Sequence, residues 1–267
     1  MHCLVEETKL FNREGSKFKY KNEIIELFPE HNFYVEPFFG TGSIFFNKPK
    51  AKYNSINDNS KFIYHFFKCL KEDQEKLYEA IYNTPVNSDY LWENEENDTI
   101  YDFVAKKILI SVCSLFTAST RTIVNDKNNK KTILLDRVKY FKKSLLENVN
   151  IFNKDVFSFL KTLSSRDIES AFVYCDPPYS KNKGKLDENK NWNGLEDLEK
   201  LIVQLKSMDV LFAISEYGHE EVIQLFEKHG LYINTISVSK FGYSKRLGGV
   251  EILACNYKRE KDIMDFV

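Results

Sequence analysis

Asp176-Pro177-Pro178-Tyr179 closes an apolar run, Ala171–Cys175, that has the length and the β-branched and aromatic content of a buried strand. Each proline removes a backbone donor and fixes φ, and the residue ahead of a proline is pushed out of helical space. The turn is therefore stiff and cannot rejoin a sheet. It gathers a carboxylate, a proline carbonyl with no obligatory partner and a phenol ring at the C-terminal edge of a strand, where open α/β sheets bind ligands. These groups suit a planar amine: Asp176 and the Pro177 carbonyl accept from the amino group, and Tyr179 stacks on the plane. Taken alone, the tetrapeptide reads equally well as a rigid surface turn.

A second group far upstream shifts that balance. The strand Phe33–Val35 runs into Glu36-Pro37-Phe38-Phe39-Gly40-Thr41-Gly42-Ser43 and then into a predicted helix. Glycines in such a loop let backbone amides approach a ligand at a helix start. Only two glycines are present in the loop and no Gly-Lys-Ser or Gly-Lys-Thr follows, which argues against a triphosphate cradle. Tyr53–Asp58 reads as a short strand ending in an acid, suited either to ribose hydroxyls or to a helix N-cap. Val149–Phe152 leads to Asp155-Val156, again an acid just past a strand. Near the start, Asn12-Arg13 and Gly15-Ser16-Lys17 feed a helical pattern that Pro29 closes.

The elements that must position these groups alternate. Leu195–Lys206 and His219–His229 have helical spacing. Val210–Ile214, Leu231–Ser239 and Glu251–Tyr257 read as strands. Strands alternating with helices indicate a mostly parallel sheet, and the last pair, close in sequence, indicates an antiparallel edge. Lys61–Tyr82 and Thr99–Ala118 carry apolar residues at helical spacing with no clear strand between them, so a helical insert is expected. Thr122-Ile123-Val124, a polar turn and Thr132-Ile133-Leu134-Leu135 form a hairpin pattern with a basic tip. Arg121, Lys127, Lys130, Lys131, Arg137, Lys139, Lys142 and Lys143 cluster there, in a chain of net charge −1, and are where a phosphate backbone is expected. Ser180–Asn193, with Lys181, Lys183, Gly184 and Trp192, reads as a mobile loop beside the acid turn.

At 267 residues, 43% hydrophobic and 29% charged, the chain can bury a full core. Cys3, Cys69, Cys113, Cys175 and Cys255 are scattered, without a Cys-x-x-Cys pair, which argues against a disulfide framework and against a zinc site. No metal is expected. No apolar run reaches membrane-spanning length and the first residues do not resemble a signal peptide, so a cytoplasmic protein is expected.

In order along the chain, Asn12-Arg13-x-Gly15-Ser16-Lys17, Val35-Glu36-Pro37-Phe38-Phe39-Gly40-x-Gly42 with Phe45-Phe46-Asn47, Ile56-Asn57-Asp58, the Asp155 segment, Asp176–Tyr179 and Glu251-Ile252-Leu253 resemble the Dam-like, D12 class of DNA adenine-N6 methyltransferases. The resemblance implies an α/β, Rossmann-like methyltransferase sheet formed by residues 1–59 and 149–267. It also implies an inserted, mostly helical target-recognition domain at 60–148 carrying the β-hairpin. S-adenosylmethionine is the implied cofactor, held by Asn12, Arg13, Gly15, Lys17, the Glu36–Ser43 loop, Asp58, Asp155, Val156 and Asp176. Gly40 and Gly42 would line its methionine part, Asp58 its ribose, and Asp155 with Val156 its adenine. Asp176, Pro177, Pro178 and Tyr179 would hold an adenine flipped from double-stranded DNA. DNA contacts fall to Arg121, Lys127, Lys130, Lys131, Arg137, Lys181 and Lys183.

Such an enzyme is expected to act as a monomer, or as a dimer on a palindromic site, in a bacterial or phage setting. The pattern departs from many relatives at Arg13, where they carry an aromatic, and the hairpin lacks the Asn-Val-Pro-type sequence of GATC-reading members. An RNA base methyltransferase and a catalytically silent DNA-binding protein are the alternatives. The large insert counts against the first, and the intact acid turn against the second.

Overall fold

The computed structural model describes residues 8–13, 15–92, 98–114, 129–164, 168, 170–179, 192–236 and 250–258. Seven strands form one sheet: β1 (Phe33–Glu36), β2 (Tyr53–Asn57), β3 (Val149–Phe152), β4 (Ala171–Cys175), β5 (Leu211–Tyr217), β6 (Tyr232–Ile236) and β7 (Glu251–Cys255). Every residue of β1, β4 and β7 is buried, as in a sheet covered on both faces, and apart from the terminal Glu36 and Glu251 these strands are apolar or aromatic. The order is β3-β2-β1-β4-β5-β7-β6. β1 pairs in parallel with β2 and β4, β2 with β3 and β4 with β5, whereas β7 runs antiparallel between β5 and β6. The order reverses between β1 and β4, and this switch point, where both diverging chains leave the sheet, is where a ligand crevice opens. The expected Rossmann-like sheet with an antiparallel edge is present.

Helices cover both faces. One core joins Phe33, Val35, Val173 and Ile214 to α7 (Val156–Leu160), α8 (Leu195–Ser207) and α9 (Glu220–Lys228). The other joins Tyr34, Ile56 and Phe172 to α1 (Lys21–Ile25) and to the helices between β2 and β3, namely α2 (Lys61–Glu72), α3 (Gln74–Asn83), α4 (Ser88–Trp92), α5 (Ile100–Cys113) and α6 (Lys130–Lys139). The expected helical stretch is therefore present, and its described helices share a core with the sheet. Asp73 divides Lys61–Tyr82 into two helices by accepting from Lys76 N as the N-cap of α3. Thr99 and Asp102 form a capping box at the start of α5.

Two expectations are corrected. The segment after the glycine loop is a single 3-10 turn, Phe45–Asn47, rather than a longer helix. Phe45 and Phe46 both turn inward, onto Phe39, and Pro49 follows at once. The second arm of the expected hairpin, Thr132–Leu135, is part of α6, because Leu134, Leu135 and Val138 lie on one buried face at helical spacing while Ile133 is exposed. Its first arm, with Arg121 and Lys127, lies outside the described residues, as do Lys181 and Lys183 of the polar loop. No described helix is long and apolar enough to cross a membrane, and no cluster of three potential metal ligands occurs among the described residues.

Candidate active site

The C-terminal ends of β1, β2 and β3 are tied together by one side chain. Asn57, the last residue of β2, donates to the carbonyls of Pro37 and Lys154 and accepts from Lys154 N. Asp58, next in the chain, accepts from Gly40 N at 2.8 Å and from Ser60 N at 2.9 Å. The acid thus fixes the glycine loop to the start of α2, where Ser60 rather than Asp58 is the N-cap. Asp155 is the N-cap of α7, accepting from Ser158 N, and these hydrogen bonds hold its carboxyl below the usual range.

The two loop glycines do different work. Both have positive φ. A Cβ on Gly40 would meet nothing within 4 Å, whereas one on Gly42 would lie 2.4 Å from the Phe46 ring and 2.8 Å from that of Phe39. Gly40 keeps open space beside the loop. Gly42 admits the aromatic packing beneath it. Ser16, Thr41 and Ser43 form a hydroxyl cluster, at 2.8 Å for Ser16 to Ser43 and 2.7 Å for Thr41 to Ser43, that binds the N-terminal segment to the glycine loop.

Across the switch point, the acid turn is held by charge. Lys17 Nζ donates to Asp176 Oδ1 at 2.6 Å and to Gly15 O at 3.0 Å, and lies 3.8 Å from Glu251 Oε1 and 4.6 Å from the centre of the Tyr179 ring. Tyr179 donates its hydroxyl to Glu251 and packs edge-on against Tyr217, with ring centres 4.5 Å apart. Lys17 and Glu251 are only 5% and 4% exposed. Burial pulls the Lys17 ammonium down, but the carboxylates of Asp176 and Glu251 outweigh it and raise it above the usual lysine range. Burial pushes Asp176 up against the pull of Lys17. It pushes Glu251 up to about 7, with Asp176 adding to the rise and Lys17 opposing it. Among the described residues, no donor reaches the Pro177 carbonyl or Asp176 Oδ2.

Between the two ends lies a cleft of about 500 Å3. Arg13, Gly15, Lys17, Glu36, Phe38, Phe39, Gly40, Thr41, Ser43, Asp58, Asp155, Val156 and Asp176–Tyr179 line it, so most of the residues singled out in the sequence meet at one place. Asn12, Pro37 and Gly42 do not line it: Asn12 is exposed, Pro37 is buried beside Asn57, and Gly42 faces Phe46. Glu36 is 2% exposed and accepts from the Tyr34 hydroxyl at 2.8 Å. Burial raises it well above the usual carboxyl range, with Asp176 and Asp58 adding to the rise against Tyr34 and Lys48. A shallower hollow of about 670 Å3 along α7 and α8, near Leu160 and Val203, contains no buried charged group.

A family model for D12 class N6 adenine-specific DNA methyltransferases matches residues 14–232. The chain belongs to that family. The modification methylase StsI of Streptococcus sanguinis is 23% identical over 287 residues, an alignment that covers 92% of this chain and 42% of StsI; the chain thus spans less than half the length of that relative. A protein from Streptococcus mutans described as a SAM-dependent methyltransferase superposes with a TM-score of 0.41 at 11% identity, covering 89% of this chain and 48% of that one. A SAM-dependent methyltransferase from Agrobacterium tumefaciens gives 0.40 at 8%, covering 89% and 59%.

For a D12-class chain, the cleft also holds residues to which the sequence reading gave no role. Phe157 and Trp192 lie nearly parallel, with ring centres 6.4 Å apart, and Phe38 meets Trp192 edge-on. Tyr217 and Glu251 line the acid-turn end. Glu251 opens one of the matched motifs, so its position was visible, but its partners, Lys17 and Tyr179, are far from it in the chain, Tyr179 by 72 residues. The basic residues of α6 divide. Lys131 donates to the carbonyls of Tyr82 and Thr84 at the end of α3, and Arg137 reaches Leu10 O at 3.4 Å. Lys139, Lys142 and Lys143 are exposed.

Proposed function

We propose that the chain is a site-specific methyltransferase acting at N6 of an adenine flipped out of duplex DNA, with S-adenosylmethionine as cofactor. The observation that carries this reading is the Lys17–Asp176–Tyr179–Glu251 cluster, set against a glycine loop at the switch point of the sheet. A flipped base is the expected substrate form because N6 in a stacked duplex cannot reach a carboxylate set inside a cleft, and flipping costs on the order of a few kcal/mol.

The cleft fits the cofactor on its own terms. Its volume is that of a small-molecule site. Gly40 leaves open space, and the Glu36 carboxyl, raised by burial, would gain a counter-charge from an α-ammonium group. Glu36 and the Gly40–Thr41 backbone would hold the amino-acid part, Asp58 the ribose, and Asp155, Val156 and Phe157 the adenine. When bound, S-adenosylmethionine supplies an electrophilic methyl group. Asp176 Oδ2 and the Pro177 carbonyl accept from the target amine, which favours positive charge building on that nitrogen. Tyr179 stacks on the base and fixes its plane. Lys17, 2.6 Å from Asp176, favours its ionised form against the pull of burial.

The segment 60–148 is proposed to recognise the target. Its exposed Lys139, Lys142 and Lys143 and half-buried Lys130 face solvent as phosphate contacts would, with Arg121, Lys127, Lys181 and Lys183 as further candidates. Tritium transfer from S-adenosylmethionine into unmethylated duplex DNA, appearing as N6-methyladenine and lost in Asp176→Ala, is the expected result. Transfer into ribosomal RNA instead would replace this reading by an RNA methyltransferase.

A further inference from the structure

Glu251 is the first residue of β7, the antiparallel strand, and pairs in register with Tyr217 at the C-terminal end of β5. The antiparallel direction brings the beginning of a strand to the edge where parallel strands end. A carboxylate there is costly, because Glu251 is 4% exposed and a well-packed apolar residue would serve the sheet at least as well. Its oxygen is used by groups that are not part of the sheet. Tyr179 donates its hydroxyl to Oε1, and Lys17 Nζ lies 3.8 Å from the same atom. The Tyr179 ring is thereby fixed at its hydroxyl by Glu251, at a face by Lys17 and at its edge by Tyr217. Without the hydroxyl anchor the ring keeps its position in the chain but loses its set angle, and a stacking surface works only at a set angle.

We infer that Glu251 is a positioning residue for methyl transfer, acting through the Tyr179 hydroxyl to hold the stacking ring and the Lys17–Asp176 pair in register with the target base. This inference rests on the adenine-N6 reading above. Glu251 touches neither substrate nor cofactor in this role. The charged and titratable groups facing it are Lys17 from the N-terminal segment, Tyr174 on β4, Asp176 and Tyr179 on the acid turn, and Tyr217 on β5. With burial raising Glu251 to about 7, the carboxylate that pairs with Lys17 forms across neutral pH.

The test is a double-mutant cycle read in single-turnover tritium transfer into unmethylated duplex DNA at saturating S-adenosylmethionine. Glu251→Ala and Tyr179→Phe are each expected to slow transfer about tenfold, and the double variant about tenfold rather than a hundredfold, because both remove one link. Glu251→Gln, which keeps an acceptor oxygen and is the safer variant for folding, is expected to retain most transfer near neutral pH. It should also lose the rise in rate expected of the parent between about pH 6 and about pH 8. Multiplying losses in the cycle, or a rise that persists in Glu251→Gln, overturns the role of Glu251. A parent chain that transfers no methyl group to DNA overturns the adenine reading itself, so the two failures are distinct.

Discussion

Asp155 and Asp176 each stand just past a parallel strand, β3 and β4, yet they are held by opposite means. Asp155 is exposed, caps α7 and has its carboxyl held down by hydrogen bonds around Ser158. Asp176 is in the cleft, raised by burial, with Lys17 as its ion-pair partner at 2.6 Å. The first acid is satisfied by backbone amides that its own local sequence provides. The second depends on side chains delivered from residues 17 and 251. The setting of Asp155 therefore follows from local rules, and that of Asp176 from long-range charge. Rigid positioning of the one and electrostatic tuning of the other follow from that division.

The largest expected effect lies at the charge-held end. Asp176→Ala is expected to lower the methyl-transfer rate about a thousandfold, the scale seen when an electrostatic partner of a reacting group is removed, while Asp155→Asn keeps an N-cap and most of the rate. Equal losses measured in parallel tritium assays would erase the contrast. Lys17→Met leaves the buried Glu251 and half-buried Asp176 carboxyls without their cation and is expected to cost about 3 kcal/mol in urea unfolding; adding Asp176→Asn should restore part of that.

Glu251 binds its proton more tightly folded than unfolded, so the native chain holds more protons between about pH 4.5 and about 7. Stability is therefore expected to fall as pH rises through that window, by about 3 kcal/mol at most, and the slope should flatten in Glu251→Gln. At the backbone-held end, Gly42→Ala is expected to cost about 1–3 kcal/mol more than Gly40→Ala, since only Gly42 adds a clash with Phe46 to its positive φ. Thermal unfolding of the pair measures the difference. The smallest effect separates two adjacent lysines. Lys130→Ala should reduce the salt slope of DNA binding by about one unit at unchanged stability. Lys131→Ala should instead cost about 1 kcal/mol by releasing the end of α3.

The same division explains what the sequence made legible. Strands β1, β3 and β4 were readable because apolar runs are interrupted by residues that cannot continue a sheet. The cleft was readable because its acids and glycines lie just past those strands. The 3-10 turn after Gly42 was missed because Phe45 and Phe46 look like the start of an apolar helix face, and only the packing of Phe39 shows that both point inward. Thr132–Leu135 was misread because four β-compatible residues in a row suit either state, and the buried partner that decides for a helix is Val138, beyond the run. Glu251 had no legible role because its meaning comes from Tyr179, 72 residues away.

The joint core of the sheet and the helices between β2 and β3 bears on redesign. Phe39 beneath the glycine loop packs on Phe67 of α2, and Phe46 packs on both Phe67 and Phe141. A cut-and-paste exchange of residues 60–148 for a relative's segment would carry away half of this aromatic interface and leave the other half to fit a stranger. On the proposed role of 60–148 in target recognition, changes of sequence preference should be easiest by substituting outward-facing residues on the existing helices, with Phe67 and Phe141 left in place as fixed joints.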